Sequence, residues 1–247
     1  MIHMQSGQMR PTEIAVFGER NSGTNLAHAL LQQNIPAFEN SPGDRIGKFG
    51  FRYGWKHGFP QMLAAPDTTL AICLFRHPET WLRSMHARPW HAGPDLKDLP
   101  FAEFIRTEWQ TRVDETNFGV NKADPRALAE LHWDRHPLTG ERFENILALR
   151  NAKTTGFLSL RARFAHCLIL RHEDITAAPE GFVTHVAQHY GVERRNQFHP
   201  VTDRRGRFTE GKFEAAHYDP LKPKDRDFVW SKLDRAQEKT LGYQGPS

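Results

Sequence analysis

No stretch of this chain approaches the roughly 18 consecutive apolar residues that a membrane-spanning helix needs. The opening residues MIHMQSGQMRP lack the apolar centre of a secretory signal. Cysteine is nearly absent. Cys73 and Cys167 are the only two, and each sits in an apolar run, so two buried thiols in a reducing cytoplasm are expected, with no disulfide framework. Zinc-finger spacing is missing, and so is the aromatic–basic repeat that reads single-stranded nucleic acid. His185 and His189 share a helix face (HVAQH), but the glutamate of a zinc protease is not there. His132 and His136 have the same spacing without other ligands near them. No GxSxG or Cys/His nucleophile arrangement occurs. A metal enzyme, a serine hydrolase and a nucleic-acid reader are therefore not expected.

A hydrophobic share of 38% and a length of 247 residues suffice for a soluble chain with a real core, read as one domain over 1–247. The net charge is +4, and 14 histidines add to it below neutrality, which favours anionic ligands. Three short runs, Ile14 to Phe17, Leu70 to Phe75 and His166 to Leu170, are apolar on both faces, as strands of a covered parallel sheet are. Helical stretches are expected over Thr24 to Gln33, Pro78 to Ala87, Pro100 to Val113, Pro179 to Tyr190 and Lys224 to Lys239. Gly191 marks the C-terminal stop of the fourth. The alternation predicts an α/β fold of three layers, a central parallel sheet flanked by helices. Residues 88–165 read as a helical or substrate-facing excursion, within which the polar 121–142 stretch reads as a lid or as a substrate-facing excursion. Asn34 to Pro60 and Arg88 to Leu99 read as irregular binding loops near strand ends.

The chemistry concentrates in four places. The first is IAVFGERNSGTNLAHALL, Ile14 to Leu31. An apolar strand stops at Gly18, a polar loop passes through Gly23, and a helix begins at Thr24. Strand, glycine-containing loop and helix make a cradle for a phosphate, from loop amides and the positive end of the helix dipole. A nucleotide-hydrolysing loop reads GxxxxGK[ST]. Gly18 and Gly23 have that spacing, but Thr24 stands in the lysine position. The second is RHPETWLRS, with Arg76 closing a strand and Ser84 eight residues on. The third is WKHGFP, where Lys56 and His57 pair a cation with a candidate general base. The fourth is DRRGRFTEGKF, Asp203 to Phe213, where Arg204, Arg205, Arg207 and Lys212 share a loop with two glycines. Arginine forks match phosphate oxygens. Trp81, Trp90, Trp109 and Trp133 either line an acceptor pocket or belong to the core.

In order and spacing, these segments resemble the sulfotransferases that use 3′-phosphoadenosine-5′-phosphosulfate. GERNSGTN resembles that family's 5′-phosphosulfate loop (PKSGT or RKGGT). WKHGFP is similar to its KTHLP motif and RHPETWLRS to its 3′-phosphate motif. LRHEDITAAPEGFVTHVAQHYGV resembles its late strand–helix unit, and RRGRFTEGK its C-terminal RKGxxGDWK loop. The likeness covers about Ile14 to Arg83 and Leu168 to Phe213. It implies a P-loop-like sulfotransferase fold and sulfonyl transfer to a small-molecule or carbohydrate acceptor, without a metal. It implies that Asn21, Ser22, Gly23, Thr24 and Asn25 hold the 5′-phosphate. Arg76, Ser84, Arg204, Arg205 and Gly206 would hold the 3′-phosphate. His57 would take the acceptor proton, and Lys56 or Arg20 would offset charge on the bridging oxygen, Arg20 also meeting the donor. The acceptor would meet Phe49 to Phe59, Arg88 to Asp98 and the middle of the chain.

Two departures stand out. The family's loop lysine falls on Asn21, an uncharged donor. Lys56 and His57 are adjacent, with no residue between them. Glu19 and Glu39 stay open as alternative bases. A nucleotide-binding relative that transfers nothing, or a P-loop phosphotransferase, are the other readings. The second needs a magnesium carboxylate and a cradle lysine that the sequence does not supply.

Overall fold

The computed structural model describes residues 2–42, 53–114, 118–203, 211–212 and 217–246. Four strands form one sheet in the order β1-β4-β3-β2. They are β1 (His3–Gln5), β2 (Glu13–Gly18), β3 (Thr69–Phe75) and β4 (His166–Arg171). β2, β3 and β4 run parallel, with Phe17 beside Cys73 and Cys73 beside Ile169. β1 pairs antiparallel with β4, Met4 opposite Leu168. The sheet is therefore mixed, which corrects the all-parallel expectation. β1 is three residues long and only partly buried. It closes the β4 edge, and so short a strand carries no apolar run by which the sequence could announce it.

Side chains alternate faces along a strand, and the two faces have separate cores. Ile14, Val16, Leu70, Ile72, Leu74, Leu168 and Leu170 pack with Ala27, Leu30 and Leu31 of α1 (Thr24–Asn34) and with Phe182, Val183 and Val186. Ala15, Phe17, Ala71, Cys73, Phe75, Cys167 and Ile169 face the other way, toward Trp81, Trp109, Phe157 and Trp230. Helices thus flank both faces, the α/β arrangement expected of strands without a polar side.

The helix α2 (Pro78–Ala87) begins on its proline, as expected. Two single turns follow, α3 (Pro94–Lys97) and α4 (Phe101–Phe104). The expected helix over Pro100 to Val113 stops there. Beyond it Thr107, Trp109, Thr111 and Val113 alternate with period two. Isolated bridges join Trp109 to Phe143, Ala92 to Thr111 and Arg112 to Glu130. Extended backbone sends Trp109 and Thr111 to the same partner, the carboxylate of Asp134, which a helix would not do. Within the expected excursion, α5 (Ile146–Leu158) is a helix not singled out above, capped by Asn145 through the amides of Leu147 and Ala148. After it come α6 (Leu160–Arg163), α7 (His172–Ala177) and α8 (Pro179–Tyr190), the last stopped by Gly191 at φ 63°. The single C-terminal helix expected from Lys224 to Lys239 is two, α9 (Pro223–Lys232) and α10 (Arg235–Thr240). Leu233 is extended, and Asp234 recaps the chain through the amides of Ala236 and Gln237.

Cys73 and Cys167 are buried free thiols, as expected. Burial pushes the Cys167 thiol up to about 12. No helix among the described residues is long and apolar enough to cross a membrane.

Candidate functional site

The C-terminal ends of the parallel strands bring three distant segments together. β2 ends on Gly18, at φ 154°, and the loop to α1 turns through Asn21 (φ 62°) and Gly23 (φ 95°). A Cβ on Gly23 would lie 2.5 Å from Nδ1 of His172, so glycine is required there twice, for its backbone angle and for space. No side chain caps the N-terminus of α1. Its first-turn amides lack partners within the helix, and the helix dipole favours an anion in front of them. The Ser22 hydroxyl is buried beside them without a partner.

The WKHGFP segment runs along this loop. Gly18 N donates to the Lys56 carbonyl at 3.0 Å. The Gly18 carbonyl lies 2.6 Å from Nδ1 of His57. A carbonyl only accepts, so Nδ1 carries the proton and Nε2 has the lone pair. Burial pushes the His57 pKa well below 6.5; the Lys56 charge adds to this, the Gly18 bond opposes it, and Arg20 and Lys153 reinforce it. His57 is therefore a neutral imidazole with its basic nitrogen away from the strand. Lys56 Nζ donates to Asn25 Oδ1 at 3.0 Å, on the first turn of α1.

Arg76 follows β3. Its Nη1 donates to the Asn21 carbonyl at 3.1 Å, and its guanidinium lies 6.0 Å from the Tyr218 ring. Burial lowers the Arg76 pKa, with Tyr218 and Glu173 working against the shift. Ser84 is buried, and its carbonyl accepts from Asn21 Nδ2 at 3.0 Å. The structure thus brings Asn21 to Asn25, Lys56, His57, Arg76 and Ser84 to one place. Arg204, Arg205 and Gly206 lie outside the described residues.

One expected role, that of Arg20, does not match its side chain, and the Asn21 side chain, whose main-chain amide alone is assigned to the phosphate, also turns away from the loop mouth. The Asn21 amide points at the C-terminal end of α2, donating to the carbonyls of Ser84 and Arg88. It offers its backbone to the loop, and its side chain is committed elsewhere. Arg20 turns into the interior. Its Nη2 donates to Asp134 Oδ2 at 2.6 Å, its guanidinium lies 5.5 Å from the Trp55 ring, and only 2% of its side chain is exposed. It therefore does not replace the missing lysine at the loop mouth. Glu39 pairs with Arg195 at 2.9 Å on an exposed face.

Sequence reasoning missed Asp134, Lys153 and His172 around the loop, and Glu19, held open as a base, lies with them. Asp134 lies in the 121–142 stretch, buried on the short turn His132–Asp134. Its oxygens accept from Arg20, Thr111 and Lys153, the last at 2.5 Å. Burial alone would raise its pKa; the two cations outweigh that and hold it well below the usual carboxylate range. Lys153, on α5, is fully buried and also donates to the His57 carbonyl at 2.6 Å. Glu19 is buried 3.7 Å from Lys153 Nζ with neither oxygen hydrogen-bonded. Burial raises its pKa, against the pull of Lys153 and Arg20. His172, on the first residue of α7, stands over Gly23 with Nδ1 unpartnered. Burial and the Arg76 charge push its pKa down to about 4. A charged residue inside a polar stretch reads as surface, so only its partners reveal its place.

Of the four tryptophans weighed for an acceptor pocket, Trp81 and Trp109 are core, Trp90 is half-buried and Trp133 is 38% exposed. The Trp133 ring lies 5.9 Å from Trp55, which meets His57 edge-on at 5.5 Å.

The donor expected from the resemblance fits this place in part. An uncapped helix start, an orphaned Ser22 hydroxyl and a glycine that admits no side chain suit a 5′-phosphate. The guanidinium of Arg76 suits a second one. A cation at the position of the family's lysine does not appear, because Asn21 and Arg20 are both engaged away from the loop mouth. No protein-family model matches the chain, and no curated protein matches it.

Proposed function

We propose that the chain is a sulfotransferase, moving a sulfonyl group from 3′-phosphoadenosine-5′-phosphosulfate to a hydroxyl or amine of a small-molecule or carbohydrate acceptor in the cytoplasm. On this reading the fold is the P-loop sulfotransferase one, with β1 as an added antiparallel edge. One observation carries it. His57 is bonded to the Gly18 carbonyl, Lys56 to Asn25 and Arg76 to the Asn21 carbonyl. Three segments far apart in sequence converge on one anion-binding loop, each with the residue type the reaction needs.

The bound donor supplies an activated sulfonyl group on a phosphate leaving group. The chain does the rest. Amides from Gly23 to Asn25 and the Ser22 and Thr24 hydroxyls hold the 5′-phosphate, the Ser22 amide being bonded to the Glu19 carbonyl. Arg76 and Ser84, joined by Arg204, Arg205 and Gly206, hold the 3′-phosphate. His57 receives the acceptor proton at Nε2. Its neutral state at pH 7 leaves that nitrogen open, and its Nδ1 bond fixes the tautomer. Lys56, bonded to Asn25 on the first turn of α1, is the cation nearest the task of offsetting charge on the leaving oxygen.

A second reading, binding of the nucleotide without transfer, is favoured by one specific feature, the engagement of Asn21 and Arg20 away from the loop mouth. Thermal shift with adenosine 3′,5′-bisphosphate against ATP tests the pocket. A rise with the bisphosphate alone supports it, and a rise with ATP alone refutes it. Transfer of labelled sulfate to an acceptor panel, with His57→Ala as control, then separates enzyme from binder.

A further inference from the structure

A lysine with no exposed surface is costly unless its charge is matched and its donors are used. Lys153 Nζ is matched by Asp134 at 2.5 Å and donates to the His57 carbonyl at 2.6 Å. The other Asp134 oxygen holds Arg20 at 2.6 Å, and Arg20 is a loop residue. The chain Arg20–Asp134–Lys153–His57 therefore links the phosphate loop to the candidate base from behind, through two residues of the 88–165 excursion. Trp81 Nε1 donates to the Arg20 carbonyl at 2.9 Å and fixes that end. The Trp55 ring meets both cations, 5.5 Å from Arg20 and 5.6 Å from Lys153.

We propose that Lys153 and Asp134 are positioning residues: they clamp the His57 main chain to the loop, so that the imidazole keeps its Nδ1 bond to the Gly18 carbonyl and presents Nε2 to the acceptor. The proposal rests on the reading of His57 as the base, although the clamp has a readout of its own. It also gives the 121–142 stretch a task. Expected as a lid, that stretch is pinned by a buried carboxylate and cannot swing free at Asp134.

The experiment is nitrogen-15 NMR of the histidine side chains in the full chain, with His57 assigned by His57→Gln. Wild type is expected to show a protonated Nδ1 and an unprotonated Nε2 at neutral pH. Two variants remove the clamp. Lys153→Met leaves Asp134 with Arg20 as its sole cation, and the pair Asp134→Asn with Lys153→Met removes both charges of the broken bridge. In whichever variant keeps native near-ultraviolet dichroism, the fixed tautomer is expected to be lost and the two nitrogens to average. An unchanged tautomer in a folded variant overturns the proposal. So does loss of the fold in both variants, since the network is then core and nothing more. Calorimetry with adenosine 3′,5′-bisphosphate on wild type is read separately. A chain that takes up no bisphosphate yet loses its tautomer with Lys153 refutes the sulfotransferase reading and leaves the clamp standing.

Discussion

Glu238→Gln is a severe test of how the C-terminal helices support the site. Arg150 and Glu238 form a bidentate pair, Nε to Oε1 at 2.6 Å and Nη2 to Oε2 at 2.9 Å, with 2% of each side chain exposed. The same Nη2 donates to the Arg76 carbonyl at 3.1 Å, and the guanidinium lies 5.0 Å from the Trp81 ring. Glutamine preserves the shape, removes the charge and turns one acceptor into a donor facing the guanidinium. Breaking a buried pair from one side costs about 3–5 kcal/mol, because the other charge stays buried without its match. The lower end, about 3 kcal/mol, applies here, since one acceptor survives and the Arg76 carbonyl remains. For a chain of this length about 2–4 °C is lost per kcal/mol, so Tm is expected to fall by about 6–12 °C in calorimetric unfolding. The double variant Arg150→Met with Glu238→Leu removes both charges and is expected to recover most of that loss. A single-variant drop under about 2 °C refutes the reasoning, because the pair would then be wet or dispensable.

Gly23→Ala meets both the positive φ and the His172 ring 2.5 Å away; bisphosphate-induced stabilisation is expected to vanish, and His172→Ala in the same chain to restore only the part due to the clash. His57→Gln is expected to lower sulfate transfer by about 10²–10⁴-fold while bisphosphate affinity holds. Because the neutral imidazole is the active form and burial places its pKa well below 6.5, the wild-type rate is expected to be flat from pH 6.5 upward and to fall only on the acid side; a midpoint above 6.5 rejects His57 as a buried base. Stability should also depend on acid. His57, His91 and His172 have lowered pKa values, about 4 for the last two, with burial the first cause for all three. As pH falls below 6.5 the unfolded chain therefore binds protons that the folded chain refuses, and stability falls as pH drops toward 4. The raised pKa of Glu19 works the other way, one carboxyl against five imidazoles once His28 and His77, also lowered by burial, are included. Equal Tm at pH 7 and pH 4.5 contradicts the assignment.

Where a residue's role depends on its neighbours along the chain, the sequence showed it. The runs of β2, β3 and β4 are apolar on both faces, and each strand is buried on both. Pro78 and Gly191 mark helix ends because their backbone limits act locally. The strand–loop–helix from Gly18 to Asn25 was legible for the same reason, since glycine at a strand end followed by a helix is a local pattern. What could not be read depends on partners far along the chain. Trp109 and Thr111 leave the helical pattern because Asp134, 25 and 23 residues away, draws them into extended backbone. Lys153 sits in a segment that carries no motif, and its burial is explained by Asp134, 19 residues earlier, and by the carbonyl of His57, 96 residues earlier.

The direction of a polar side chain was equally hidden, and it bears most on function. From the sequence, Arg20 and Asn21 are two donors in a phosphate loop. In the structure each is spent on fixing the loop itself, one to a buried carboxylate and one to the carbonyl end of α2. A lysine in place of Asn21 would meet those same α2 carbonyls, where a cation is stabilised by the helix dipole. Supplying the family's residue at that position therefore does not by itself supply its charge at the loop mouth. Lys56 stays the cation to test: Lys56→Met should lower transfer while the His57 tautomer persists, and an unaltered rate would remove the last charged candidate for the leaving oxygen among the described residues.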